Sequence, residues 1–218
     1  MRRYDLIFFD FDGTLVDTIP DIAYYANAVL SSLGQPDHGV DVVRAKVGKG
    51  VHQLLRELCP RLGDDAQALH AAAMKLKALY AEKPVVFSRL YPDIAASLGG
   101  PAGRGAPRRV VLTNKLEVLA NAILDHFGLR DRFDEVVGDG GEYVLKPDPS
   151  AALRLMEKYG ARSDRTILIG DSEVDRATAK AAGIRFGWVS YGYEALAPAG
   201  DVPDHVFDKP SQWASLSS

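Results

Sequence analysis

Short runs of consecutive apolar residues recur along the chain and alternate with stretches of helical periodicity. Unbroken apolar runs of this length are typical of strands buried on both faces of a parallel sheet. The runs are YDLIFF at 4–9, RRVVLT at 108–113, DEVVG at 134–138, TILIG at 166–170, IRFGWVS at 184–190 and a weaker HVF at 205–207. Helical patterns lie between them at 115–128, 149–160 and 173–183. This alternation predicts an α/β fold with a doubly wound, mainly parallel sheet.

Residues 19–83 interrupt the alternation. Apolar residues in this stretch keep helical spacing, and none of its segments has the pattern of a strand. We therefore predict an all-helical cap domain at 17–85, inserted between the first strand and the rest of the sheet. The remaining residues, 1–16 and 86–218, would form one Rossmann-like core that is discontinuous in sequence.

The composition is that of a soluble globular protein. Of the 218 residues, 47% are hydrophobic and 25% are charged, and the formal net charge is −3. This balance gives no electrostatic footprint for nucleic acid or for an anionic membrane. The single cysteine, Cys59, excludes an internal disulfide, and acids interrupt the first apolar run too early for a signal peptide. We expect a cytoplasmic monomer or homodimer that binds neither nucleic acid nor membrane.

Several of the predicted strands run directly into acidic, amide or hydroxyl side chains. In open α/β sheets, ligands bind outside the carboxyl ends of the strands. These strand ends would bring together Asp10, Asp12, Thr113, Asn114, Asp171, Ser172 and Asp175, with Lys146 from a nearby loop.

Four carboxylates in one small pocket need a positive partner. Like charges raise the pKa of neighbouring carboxyl groups, and burial of ionised groups is costly. An oxygen-only ligand set favours Mg²⁺, which binds through one or two carboxylates and keeps positions for substrate phosphate. The site is therefore predicted to perform phosphoryl chemistry on a small phosphorylated metabolite, with Lys146 and Thr113 holding phosphate oxygens.

Taken one at a time, these residues have simpler explanations. Asp12-Gly13 is a common turn dipeptide, Lys146 suits a solvated loop, and Asp175 suits the first turn of a helix. The stretch is not an EF-hand loop, because Thr14 stands where the next ligand belongs. Only the joint position of the polar residues at strand ends supports a site.

Four stretches, in their order along the chain, resemble the four motifs of the haloacid dehalogenase superfamily. They are DFDGTL at 10–15, VVLTNK at 110–115, LKPDP at 145–149 and IGDSEVD at 169–175. The helical insertion resembles the C1-type cap of that superfamily. Within the superfamily, the stretches KVGKGVHQLL at 46–55 and AKAAG at 179–183 are most similar to phosphoglycolate phosphatases.

The resemblance implies a catalytic mechanism. Asp10 would be the nucleophile that forms an aspartyl-phosphate, a covalent strategy that divides one difficult step into two. Asp12 would protonate the leaving alkoxide and then deprotonate the hydrolytic water. Thr113, Asn114 and Lys146 would bind the phosphate.

The resemblance also implies a metal site and a specificity residue. Mg²⁺ would be held by the Asp10 side chain, the Asp12 backbone carbonyl and Asp171, with Asp175 in support. The cap would select the substrate, and Lys49, between two glycines, is our candidate for binding a substrate carboxylate. The alternative for Lys49 is a solvated loop lysine.

The function implied is a Mg²⁺-dependent phosphatase, with 2-phosphoglycolate as the expected substrate. Pyrophosphate and sugar phosphates are alternative substrates, and a β-phosphoglucomutase-like isomerase is an alternative enzyme. A non-catalytic binding protein is a third alternative, but the presence of every motif acid and of the motif lysine argues against it.

Overall fold

The computed structural model describes residues 4–102, 106–196 and 202–217, and its main feature is a six-stranded sheet. The strands of the described residues are β1 Leu6–Phe9, β2 Val16–Asp17, β3 Arg89–Leu90, β4 Arg108–Leu116, β5 Glu135–Asp139, β6 Thr166–Gly170, β7 Arg185–Val189 and β8 His205–Phe207. The large sheet has the order β5-β4-β1-β6-β7-β8, and every neighbouring pair in it is parallel. Residues 1–3, 103–105, 197–201 and 218, which the prediction assigns to the core, lie outside the described residues.

The α-helices of the described residues are α1 Ile19–Ser32, α2 Val40–Arg44, α3 Val51–Leu58, α4 Pro60–Gly63, α5 Ala66–Glu82, α6 Ile94–Leu98, α7 Glu117–His126, α8 Ser150–Tyr159, α9 Glu173–Ala182 and α10 Pro210–Trp213. The first five of them, α1 to α5, occupy the stretch predicted to form the cap. We call residues 17–85 the cap region; its bounds as a domain stay a prediction. In the described parts of the chain, no helix has both the length and the apolar character needed to cross a bilayer.

Strand β1 lies in the middle of the sheet and is buried on both faces. Leu6 and Phe8 pack in one apolar cluster with residues of α8 and α9, whereas Ile7 and Phe9 pack in the other cluster, which includes α7 and the cap region. All four side chains are at most 1% exposed. Alternate residues of a strand point to opposite faces, so an unbroken apolar run is the pattern that two covered faces require. The doubly wound α/β fold predicted from the sequence is confirmed.

Two features differ from the sequence prediction. Strand β4 continues to Leu116, with a register shift after Leu112, so Thr113 does not end it and residue 115 does not begin a helix. Strands β2 and β3 form a small antiparallel pair at the two crossings between the core and the cap region. The prediction missed this pair because two residues are too few to show an alternating pattern.

A buried carboxylate joins the same two crossings. Asp21, at the start of α1, is fully buried and accepts hydrogen bonds from the backbone N–H groups of Val86, Phe87 and Ser88 at 3.1, 2.8 and 2.9 Å. The Ser88 hydroxyl donates a fourth bond at 2.5 Å. A carboxylate with this many donors is a strong acceptor, so Asp21 ties the entry of the chain into the cap region to its exit.

Candidate active site

The carboxyl ends of β1, β4 and β6 meet at one edge of the sheet, where a cleft opens between the core and the cap region. The cleft has an empty volume of about 970 Å³ and is open to solvent. Its lining includes Asp10, Asp12 and Asp171 from the core and Val51, Leu76 and Tyr80 from the cap region. The strand ends thus place polar groups on one wall, whereas the wall formed by the cap region is mainly apolar and also carries Arg44 and Lys77.

Asp10 follows β1 directly and is only 9% exposed. Its Oδ1 accepts a hydrogen bond from the backbone N–H of Phe11 at 2.7 Å and lies 2.8 Å from Nζ of Lys146. Its Oδ2 has no hydrogen-bond partner among the described residues. Burial and the charge of Asp175 raise the pKa of Asp10 from 3.8 to about 6, although Lys146 opposes the rise. One carboxylate oxygen is therefore anchored, while the other is available to bind a ligand or to react.

Asp10, Asp171 and Asp175 form a buried acidic cluster, in which one oxygen from each carboxylate lies within 4.8 Å of the others. Asp171 is 1% exposed and accepts hydrogen bonds from Oγ1 of Thr14 at 2.9 Å and from the backbone N–H of Tyr193 at 2.7 Å. Burial, together with the charges of Asp10 and Asp175, holds the pKa of Asp171 well above its ordinary value. Burial is the main cause of both raised pKa values, and the repulsion between the neighbouring carboxylates adds to it.

The donor set of the acidic cluster fits a hard divalent cation. All of its ligand groups are carboxylates, a set that suits Mg²⁺, Ca²⁺ or Mn²⁺ rather than zinc or copper. Gly13 and Gly192 pack against Asp171 so closely that a Cβ atom at either position would overlap its side chain. These two glycines let the backbone approach the carboxylate, which stays fixed in position.

Lys146 lies between two acids of the cluster. Its Nζ donates to Oδ1 of Asp175 at 2.5 Å in addition to its contact with Asp10, and its side chain is 2% exposed. Burial lowers the pKa of Lys146, but the charges of Asp10 and Asp175 outweigh burial and raise it above the ordinary value. Ser172, the N-cap of α9, donates its N–H and hydroxyl to Oδ2 of Asp175 at 3.2 and 2.5 Å. Asp175 therefore positions Lys146 as well as contributing to the acidic cluster.

Asp12 has a different environment from Asp10. Its Oδ1 accepts hydrogen bonds from Oγ1 of Thr18 at 2.5 Å and from Nζ of Lys115 at 2.9 Å. The Lys115 side chain is 4% exposed and the Asp12 side chain 14% exposed. The Asp12 carboxylate is not part of the acidic cluster among the described residues, and its backbone contact with a metal stays a prediction.

Thr18 and Lys115 are not among the site residues predicted from the sequence. The sequence pattern places residue 115 at the start of a helix, whereas the longer β4 directs the Lys115 side chain to the cleft. The available signal was the position of Lys115 directly after two predicted site residues. Tyr193 was also not predicted. It contacts Asp171 through its backbone N–H, and a backbone contact cannot be predicted from the type of side chain.

Thr113 and Asn114 both lie in the cleft wall. Oγ1 of Thr113 accepts a hydrogen bond from the backbone N–H of Lys115 at 3.2 Å. Nδ2 of Asn114 donates to the carbonyls of Gly48 and Lys146 at 2.9 and 2.8 Å, while its Oδ1 is buried without a partner. The amide of Asn114 thus joins the cap region to the loop that carries Lys146.

Lys49, the predicted specificity residue, is exposed, and it is not among the described residues that line the cleft. Its neighbours Gly48 and Gly50 do line it. The structure therefore brings the backbone of this loop to the cleft rather than the lysine side chain.

Known proteins are similar to this chain in both sequence and fold. The haloacid dehalogenase-like hydrolase family matches residues 4–183. A phosphoglycolate phosphatase of Aquifex aeolicus is 32% identical over 97% of this chain and 95% of its own length, and one of Pseudomonas syringae pv. syringae is 37% identical over 93% and 76%. A crystal structure from Haemophilus somnus, described as a "predicted phosphoglycolate phosphatase", has a TM-score of 0.88 and 28% identity over 99% of both chains. The chain belongs to the haloacid dehalogenase-like hydrolase family.

Proposed function

We propose that this enzyme, a phosphatase, hydrolyses 2-phosphoglycolate to glycolate and phosphate through an aspartyl-phosphate, with Mg²⁺ as cofactor. The observation that carries the proposal is the setting of Asp10, a buried carboxylate with one oxygen anchored by Phe11 and Lys146 and the other unpartnered. The names of the similar Aquifex aeolicus and Pseudomonas syringae proteins support the choice of substrate.

The metal would be held by the acidic cluster. Asp10 and Asp171 would supply carboxylate oxygens, Asp12 its backbone carbonyl, and Asp175 a supporting carboxylate. When bound, Mg²⁺ supplies positive charge next to the phosphoryl oxygens, which lowers the repulsion between the phosphate and the carboxylates. The raised pKa values of Asp10 and Asp171 support this assignment, because burial and then repulsion between the carboxylates disfavour their ionised forms, and a cation would stabilise those forms.

The residues of the chain then divide the reaction into two displacements. In the first, the unpartnered oxygen of Asp10 forms a bond to phosphorus as the ester P–O bond breaks, and Asp12 gives a proton to the leaving alkoxide. In the second, Asp12 takes a proton from a water molecule that attacks phosphorus, and the carboxylate of Asp10 is released.

Phosphate recognition would come from the strand end and the lysine loop. Lys146 would neutralise phosphoryl charge, and the Thr113 hydroxyl would donate to a phosphoryl oxygen. Asn114 already uses both of its side-chain donors, so we propose that it contributes by fixing the loop of Lys146.

Phosphate release from a panel of phosphate compounds tests the proposal. We expect 2-phosphoglycolate to have the highest kcat/KM in a panel with glucose phosphates, glyceraldehyde 3-phosphate and pyrophosphate, and we expect EDTA to abolish release and Mg²⁺ to restore it. A sugar phosphate or pyrophosphate preferred over 2-phosphoglycolate would reject the substrate assignment. Release that persists in EDTA would reject the metal assignment.

A further inference from the structure

We propose that Lys115 and Tyr80 form the subsite that binds the carboxylate of the substrate. The inference rests on the proposed function and extends it, because it assigns the part of the cleft that recognises the leaving group. The sequence pattern alone favours the cap residue Lys49 for that role.

Lys115 is a buried cation in the cleft with hydrogen-bonding capacity to spare. An ammonium group has three N–H donors, and among the described residues only Asp12 accepts from this one, at 2.9 Å. Its Nζ also lies 4.7 Å from the centroid of the Tyr80 ring and 5.8 Å from that of Phe11. Both rings thus lie close enough to the ammonium group for a cation–π interaction that stabilises it.

Tyr80 supplies a second donor from the opposite wall. Its side chain lies on α5, lines the cleft and is 2% exposed, yet its hydroxyl has no hydrogen-bond partner. A buried hydroxyl without a partner costs free energy, so such a group indicates a missing acceptor. A carboxylate between Lys115 and Tyr80 would provide that acceptor.

The chemistry of the substrate brings its carboxylate to this place. In 2-phosphoglycolate a single methylene separates the ester oxygen from the carboxylate. Asp12 must lie within hydrogen-bond reach of the ester oxygen to protonate it, so the substrate carboxylate must also lie close to Asp12. Two carboxylates at that distance repel each other unless a cation lies between them, and Lys115 is the cation that contacts Asp12.

The other cations of the cleft are less suited to the task. Lys77 is paired with Asp139 at 2.5 Å. Arg44 pairs with Asp41, and its side chain is 41% exposed, where water and salt weaken its charge. The Lys115 side chain is 4% exposed, so its charge acts with little screening.

Steady-state kinetics with three substrates test this inference. The substrates are 2-phosphoglycolate, 2-hydroxyethyl phosphate, which has a hydroxyl in place of the carboxylate, and p-nitrophenyl phosphate, whose good leaving group needs little protonation. The variants are Lys115→Met and Tyr80→Phe, with Lys158→Met, an exposed lysine of α8, as the matched control. Circular dichroism and thermal melting establish that each variant is folded.

We expect Lys115→Met to lower kcat/KM for 2-phosphoglycolate by about 10- to 100-fold, the loss expected for a charge-assisted hydrogen bond. Because Lys115 also pairs with Asp12, kcat/KM for 2-hydroxyethyl phosphate should fall too, but by a factor about 10-fold or more smaller than the loss for 2-phosphoglycolate. Tyr80→Phe should show the same selectivity with a smaller loss. Equal losses for these two substrates would overturn the subsite and assign Lys115 to the positioning of Asp12. Equal losses for all three would show a structural role.

If Lys115→Met does not fold, Tyr80→Phe decides through the ratio of kcat/KM for 2-phosphoglycolate to kcat/KM for 2-hydroxyethyl phosphate. A ratio equal to that of the wild-type enzyme overturns the subsite. Failure of the proposed function is a separate result. It would appear as a wild-type enzyme that does not prefer 2-phosphoglycolate, before any variant is made.

Discussion

Metal binding should stabilise this protein more at neutral than at acidic pH. The acidic cluster is the cause, because burial and the charge of Asp175 raise the pKa of Asp10 from 3.8 to about 6, and the pKa of Asp171 is also raised. Between pH 3.8 and about pH 6, Asp10 keeps a proton in the folded chain that it has released in the unfolded chain. The stability that this proton contributes is present in full below pH 3.8 and is lost as the pH rises through about 6.

The magnitude follows from the size of the pKa change. A rise of this size corresponds to about 3 kcal/mol for Asp10, and sharing of charge within the cluster reduces it to roughly 1–3 kcal/mol. For a chain of this length, 1 kcal/mol moves the Tm by about 2–4 °C. A bound cation offsets the repulsion, so excess Mg²⁺ should raise the Tm by about 2–10 °C more near pH 7.5 than near pH 5.

Thermal melting with EDTA or excess Mg²⁺ at the two pH values measures this difference. In Asp10→Asn most of the pH dependence of the Mg²⁺ effect should disappear, whereas in Asp64→Asn, which changes an exposed acid of the cap region, it should remain. An equal rise of Tm with Mg²⁺ at both pH values, or an unaltered difference in Asp10→Asn, would refute the reasoning.

Three further substitutions test separate parts of the account. Asp12→Asn should lower kcat for 2-phosphoglycolate by about 10²- to 10⁴-fold, through loss of proton transfer, while calorimetry should show nearly unchanged Mg²⁺ affinity. Equal loss of Mg²⁺ affinity in Asp10→Asn and Asp12→Asn would contradict the backbone contact of Asp12. Asp21→Ala removes the acceptor of four hydrogen bonds and should cost about 3–5 kcal/mol in denaturant unfolding; a cost below 1 kcal/mol would show that water replaces the carboxylate. Lys49→Ala should change kcat/KM for 2-phosphoglycolate less than about threefold, since the Lys49 side chain is exposed and outside the cleft lining. A larger effect confined to 2-phosphoglycolate would support Lys49 as the specificity residue.

The sheet could be predicted from the sequence because a strand buried on both faces requires an unbroken run of apolar residues. Residues 166–170 form a strand with the bounds that their unbroken apolar run indicates, and all five are buried. The order of the strands puts β1 between β4 and β6, which brings the predicted acids after β1 and β6 to one edge. Hydrophobic pattern and chain order together were therefore sufficient to predict the architecture.

The environment of Asp12 could not be read from the same pattern. Lys115 looks like a surface residue at a helix start, and only the continuation of β4 to Leu116 shows that it is buried against Asp12 and Tyr80. Tyr80 lies far away in sequence on a helix of the cap region. Contacts of this kind depend on how two parts of the chain pack, and local periodicity carries no information about that.

Lys49 stays a predicted specificity residue, and the direction of its side chain could not be read from the sequence. A lysine between two glycines suggested a loop that approaches a ligand closely. The two glycines do line the cleft, but the lysine side chain between them does not. The spacing indicated a loop that lines the cleft, whereas the direction of a side chain in an irregular segment follows from backbone angles that the sequence does not reveal.

The central claim is that Asp10 carries the phosphoryl group during turnover, and peptide mapping tests it most directly. The wild-type enzyme with Mg²⁺ and excess 2-phosphoglycolate is quenched in acid within the first turnovers, and its peptides are examined by mass spectrometry. The account predicts one phosphoryl group on the peptide that contains Asp10, localised to that carboxylate. A phosphoryl group on any other residue, or an unmodified Asp10 throughout a burst of glycolate formation, would contradict it.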